Sequence, residues 1–337
     1  MQLSQKVRRW FYRARRAMFG SGADHEPIVE VEGAARRVQS PVRYALAHWA
    51  RSGIAFIATL FVLGVLYGVS VAWRERVSLP PDLTESATGP ASGSHAIAAA
   101  AALLSLDSAD SQRNAWFAPL ARKARLAAFQ DGAAEAVAAF VEVVERRRRG
   151  QDKDLALAAS ELAQEGPAPA AHYAAARDAL RRFNVRAGHG GPPVDRGQRA
   201  MAALARAASA SAAAHDHALH VFSDEPSPGA INGDARAEFY RARGQAYAWR
   251  ALLGAYEEDL PPERRTQLAQ PLAAARAGLA SPAAFEPLVL ATPLIGKKTP
   301  LTSLAERIAA SDGPLQTLAA AADTAPPVGA LAGPGRD

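Results

Sequence analysis

Three histidines and an aspartate crowd together at His215-Asp216-His217-Ala218-Leu219-His220. They are the residues of this chain best suited to hold a metal. Ligands on one helix must share a face, three or four residues apart. Asp216 with His220, and His217 with His220, meet that spacing. His215 and His220 diverge by about 140° at ~3.6 residues per turn, so the three imidazoles cannot converge while helical. The segment is therefore expected to carry exposed or interhelical hydrogen-bonding histidines, and no metal ligand is assigned.

Tyr240, Tyr247, Trp249 and Tyr256 recur at helical spacing and could line a pocket for an apolar or cationic ligand. Aromatics in that pattern more often form core. Glu257-Glu258-Asp259 is an acidic run at a helix end. A general acid–base pair needs carboxylates facing each other from separate elements, and no partner is evident. Gly188-His189-Gly190-Gly191 lacks the preceding strand and the following Gly-Lys-Ser/Thr of a phosphate loop. Ser209 and Ser211 lack the elbow of a nucleophile. With no cysteine anywhere, thiol catalysis, disulfides and sulfur-ligated zinc are excluded. No catalytic, cofactor-binding or metal residue is assigned, and the chain reads as a non-enzyme without cofactors.

The elements that would position these side chains are helical. Alanine supplies much of the 49% hydrophobic content, whereas aromatics are 7%. Alanine with Leu, Arg, Glu and Gln favours helix. Phe129, Ala133, Val137, Phe140, Val141 and Val144 form a stripe at three- and four-residue steps within a stretch from about Asn114 to Arg149. The Arg146–Arg149 run reads as a solvated helix end before Gly150. A short helix spans Asp154 to Gln164. Helices over 170–187 and 194–222, separated by the Gly/Pro break at 188–193, are expected to pair as an antiparallel hairpin. Asp234 starts a helix to about Asp259, whose Phe239, Ala242, Ala246, Trp249, Leu253 and Tyr256 make a seam for neighbouring helices. Pro261-Pro262 open another to about Leu279, and Thr302 to Ala322 completes the set, with a break expected at Gly313-Pro314.

Charge and hydropathy divide the chain. Residues 1–51 hold ten Lys/Arg and four Asp/Glu, a balance of +6, which is the whole net charge of the protein. Residues 52–337 hold the remaining 29 of each sign and balance to zero, so the large domain has no overall field to attract nucleic acid. From Ser52 to Trp73 no charge occurs. At about 1.5 Å per residue these residues span roughly 33 Å, enough for a ~30 Å hydrocarbon layer. Arg36, Arg37, Arg43 and Arg51 lie before this segment and only Arg74 and Arg76 follow closely. The positive-inside rule then places the N-terminus in the cytoplasm and the C-terminal domain outside it, in the periplasm of a bacterium.

The sequence thus predicts an all-α protein with a single N-terminal transmembrane helix followed by an alanine-rich helical bundle. Residues 1–51 form a basic cytoplasmic tail, with an amphipathic helix at 3–19 or a disordered arm that only fixes topology. Residues 52–73 span the bilayer and 74–95 form a flexible stalk rich in Pro, Gly, Ser and Thr. Residues 96–322 make the periplasmic helical domain, and 323–337 a disordered end.

Three segments, AHYAAARDALRRFNVRAGHGGPPVDRGQRAMAALARAASASAAAHDHAL (Ala171–Leu219), FYRARGQAYAWRALLGAYEEDL (Phe239–Leu260) and PLIGKKTPLTSLAERIA (Pro293–Ala309), resemble bacterial inner-membrane proteins of the family catalogued as domain of unknown function 2333. ARLAAFQDG (Ala124–Gly132) departs from that family, and the region before His172 is shorter. The resemblance implies a single span with a helical domain after it and carries over no functional residue. The function expected is protein–protein interaction in the cell envelope, with a partner subunit or a second copy. The alternative is a periplasmic small-molecule binder or enzyme using the aromatic helix 239–256 or the histidines 215–220.

Overall fold

Residues 57–64, 93–105, 120–148, 150–164, 169–191, 194–224, 233–287 and 299–324 are described by the structure, a computed structural model. The chain divides into two units, Met1–Arg76 and Val77–Asp337. In the first, residues 57–64 are helical and every one of them is exposed, including Ile57 at 67% and Phe61 at 71%. Among the described residues no helix is long and apolar enough to cross a membrane. The expected basic tail, its helix at 3–19, both ends of the 52–73 segment, the stalk up to residue 92 and residues 325–337 lie outside the described residues.

In the second unit every described regular element is helical: α1 (His95–Leu103), α2 (Leu120–Arg147), α3 (Lys153–Leu162), α4 (Pro169–Gly188), α5 (Gln198–Asp224), α6 (Gly233–Asp259), α7 (Pro262–Ala284) and α8 (Pro300–Thr324). Local chemistry sets several of their ends. Ser94 caps α1 by accepting from Ile97 N. Asp152 caps α3 by accepting from Asp154 N and Leu155 N. These bonds satisfy amide donors that a helix start leaves without intrahelical partners. Helix α7 opens on Pro262, where the missing N–H costs no hydrogen bond. The break expected at Gly313-Pro314 does not occur, for α8 runs through Pro314. Helix α7 likewise continues through Pro271 and Pro282 and ends five residues beyond the expected Leu279. Packing on one continuous apolar stripe (Leu268, Leu272, Ala275, Leu279, Ala283) outweighs the local penalty of the prolines.

Helices α5 to α8 form an up-down-up-down ring. His215 meets Glu238 and Gly197 meets Tyr256, so α5 and α6 are antiparallel. Arg243 with Ala283 and Glu257 with Arg276 set the same sense for α6 and α7. Arg307 meets Ser281 across α7 and α8, while Arg206–Asp323 and Ser209–Asp312 close the ring between α5 and α8. The expected hairpin of 170–187 with 194–222 is therefore not formed. Helix α5 pairs with α8, and α4 packs on α3 and α1.

Helix α6 lies at the centre, packed against α1, α2, α5, α7 and α8. It is buried on every side from Ala242 to Trp249, which exceeds the single seam expected from its periodicity. Helix α2 crosses it backbone to backbone. A Cβ on Gly244 would lie 2.8 Å from the Phe129 carbonyl carbon, and one on Gly132 would lie 2.6 Å from that of Arg241. Helix α1 is itself almost wholly buried, with Ile97 and Leu103 at 0% exposure. Burying such a side chain contributes about 1.5–3 kcal/mol.

Candidate functional site

A polar cluster gathers around His215 where α2, α4, α5 and α6 meet. Helix α5 brings His215, and α6 brings Glu238 and, one turn on, Arg241. Helix α2 brings Asp131 and Glu135 on one face, four residues apart, and α4 brings Tyr173. The His215 Nδ1 lies 2.5 Å from Glu238 Oε1 and its Nε2 lies 3.3 Å from Glu135 Oε2. Arg241 spans the same two carboxylates, at 3.0 Å from Glu238 and 3.3 Å from Glu135. Tyr173 donates to Asp131 at 3.0 Å.

Electrostatics define what this cluster can do. Burial opposes charge on His215, but hydrogen bonds to Glu135 and Glu238 and their negative charges outweigh it and lift the imidazole to about 9. Glu238 is pulled below the ordinary carboxylate value against its own burial, by its bond to His215 and then by the charges of His215 and Arg241. Near neutral pH His215 is therefore an imidazolium with both nitrogens donating, and it has no lone pair for a metal or a general base. Tyr173 is held well above its ordinary value, by burial first and then by the charge of Asp131 and the bond to it, so it supplies no phenolate. Two cations alternating with two carboxylates bolt α2, α5 and α6 together.

The other sequence candidates separate. His217 and His220 are exposed, and His220 approaches Asp216 to 3.5 Å. Among the described residues no group of three His, Asp or Glu side chains is placed to hold a metal ion. Phe239, Tyr240, Tyr247, Trp249 and Tyr256 are buried. Tyr247 packs on Phe129 with ring centroids 5.8 Å apart, and Tyr256 donates to the Asp195 carbonyl at 2.6 Å. The cavity beside Trp249, lined by side chains from all four ring helices, measures about 10 Å3. That is room for about one water molecule, far below the ~300 Å3 of a small-ligand pocket. An open cleft of about 250 Å3 lies instead between α5 and α8, beside the Arg206–Asp323 ion pair and away from the aromatic residues. Ser209 donates to Asp312 and primes no nucleophile. Gly190 ends α4 with φ of +85°, a helix stop, while Gly191 N bonds back to Arg186 O. The arginine run lies at the end of α2 but is only partly the solvated end expected: Arg146 is exposed and pairs with Glu142, whereas the half-buried Arg147 pairs with Asp195 and the half-buried Arg148 lies over Phe183; Arg149 lies outside the described residues.

The acidic run has a purpose that spacing did not reveal. Glu257 pairs with Arg276 at 2.9 Å and Glu258 with His95 at 3.1 Å. Asp259, 5% exposed, accepts from Ser94 Oγ at 2.5 Å, His95 N at 2.8 Å and Ala96 N at 3.0 Å. It is the anion at the N-terminus of α1, supplied 164 residues away. Helix α1 thus begins at His95, inside the stretch expected to be stalk.

Sequence reasoning singled out neither Glu135, Glu238 and Arg241 nor Asp131 and Tyr173. Asp131 with Glu135, and Glu238 with Arg241, do carry helical spacing. Their pairing with His215 is long-range, and no local pattern encodes it. No family profile, curated protein or solved structure matches the chain.

Proposed function

We propose that the chain is a single-pass membrane protein of the bacterial inner membrane. In this proposal the basic tail 1–51 is cytoplasmic, residues 52–73 span the bilayer, and the helical domain is held in the periplasm. There the domain acts without catalysis, by binding an envelope protein or a second copy of itself. The observation that carries the membrane assignment is the helix 57–64, apolar along its length apart from Thr59 and exposed on every side. Water disfavours such a surface and lipid does not. The uncharged run from Ser52 to Trp73 and the basic residues before it support the same reading. A binding rather than catalytic role is supported by the filled core around the aromatic helix and by the saturated hydrogen bonding of His215.

The test is a pair of reporters fused after Asp337, one active only in the periplasm and one only in the cytoplasm. Periplasmic activity is expected, together with recovery of a specific partner by crosslinking in intact membranes. Cytoplasmic activity would overturn the orientation, and crosslinking that repeatedly returned no protein would overturn the binding role.

A further inference from the structure

We infer that α1 is a releasable strap, and that the Asp259 carboxylate is its catch. The strap is short: nine residues, HAIAAAAAL, fewer than an isolated helix needs to persist in water. Its helicity therefore depends on docking, so α1 either sits in its groove as a helix or leaves it unfolded. Its sides are held by apolar packing against α4 and α6, with Ile97 and Leu103 fully buried. Its start is held by polar ones, all at one end. Asp259 takes the three donors of Ser94, His95 and Ala96, and Asn184 Oδ1 takes Ser94 N at 2.7 Å. Glu258 pairs with His95, and Arg196 Nη2 reaches Gly93 O at 3.4 Å. Gly93 fits only because it has no side chain, since a Cβ there would lie 2.7 Å from both the Asn184 carbonyl oxygen and its Cγ.

The α5–α8 ring packs around a centre that α1 does not line. The small cavity at its centre is lined from α5, α6, α7 and α8 alone. Losing α1 uncovers the α4–α6 groove while the ring survives. The strap is also the first described element on the C-terminal side of the proposed span, so a pull on the chain from that side would act on the Asp259 catch before the other described helices. That last consequence rests on the membrane reading, whereas the strap itself does not.

The test is hydrogen exchange read by mass spectrometry on the full chain in detergent, comparing the parent with Asp259→Ala, Gly93→Ala and the neighbouring control Glu257→Ala. Loss of charge-assisted hydrogen bonds predicts roughly a hundredfold faster exchange over 95–104 in Asp259→Ala. Peptides from 201–219 and 304–319, on helices that α1 does not pack against, are expected to keep the parent's rate. Gly93→Ala should act in the same direction by blocking the docked position, and Glu257→Ala should leave 95–104 unchanged. Unchanged exchange over 95–104 in Asp259→Ala would overturn the inference. So would acceleration spread evenly over the ring, or failure of both Asp259→Ala and Gly93→Ala to fold, since each would make α1 part of one cooperative unit. None of these readouts depends on where the domain lies in the cell.

Discussion

Replacing Gly244 by alanine tests the backbone crossing that holds α2 on α6. The added methyl would collide with the Phe129 carbonyl oxygen and sit 2.8 Å from its carbon, where ordinary carbon contacts lie at about 3.5–4.0 Å. The two helices must part by more than about 1 Å, and a gap of even that size forfeits a quarter to a half of each dispersion contact along the crossing. The obstacle is main chain, so no rotamer change relieves it. Overpacking of this kind costs about 1–3 kcal/mol, and alanine returns about 1 kcal/mol of helix propensity. Taking the upper end, the net loss is about 2 kcal/mol, which lowers the melting temperature of a domain this size by about 4–8 °C. Thermal unfolding followed by circular dichroism at 222 nm reads it directly. Gly132→Ala should behave alike, because its methyl would meet Arg241 across the same crossing at 2.6 Å. The double variant should lose less than the sum of the two, since the crossing opens only once. A Gly244→Ala protein melting at or above the parent temperature would mean that the α2–α6 crossing is not close-packed at this position.

The His215 cluster predicts an alkaline loss of stability. Its imidazole lies at about 9 when folded against 6.5 when unfolded, so its contribution is fully present below about pH 6.5 and is lost as pH rises through 9. The whole shift is worth about 3 kcal/mol at most. Urea unfolding at pH 6.5 and 9.5 should show this loss in the parent and a much smaller one in His215→Gln; equal pH dependence in the two would place the proton elsewhere. Arg186 spans the buried Asp152 and Asp154. Arg186→Leu should cost about 3 kcal/mol by leaving those carboxylates underpaired, with Arg182 still at 3.1 Å from Asp154. Adding Asp152→Asn should restore part of that loss in urea titrations, and no recovery would show that the Arg186 stem, rather than its charge, carries the effect.

The helical class and most helix positions are legible in the sequence, because each rests on local chemistry. Alanine-rich composition favours helix, three- and four-residue stripes such as Phe129 to Val144 mark buried faces, and Gly150 and Gly190 mark helix stops. The same arithmetic placed all net charge in residues 1–51 and isolated the apolar run 52–73. Tertiary structure decided which faces meet. It paired α5 with α8 instead of α4, carried α7 and α8 through their prolines, and surrounded α6 with packing on all sides. It also separated the histidines, enclosing His215 between two carboxylates while leaving His217 and His220 at the surface. Asp259 looked like one of three acidic residues at a helix end, yet its role depends on one hydroxyl and two amides 163 to 165 positions away. Hydrogen bonds and close crossings of that range depend on three-dimensional proximity, which a helical period along one segment does not record.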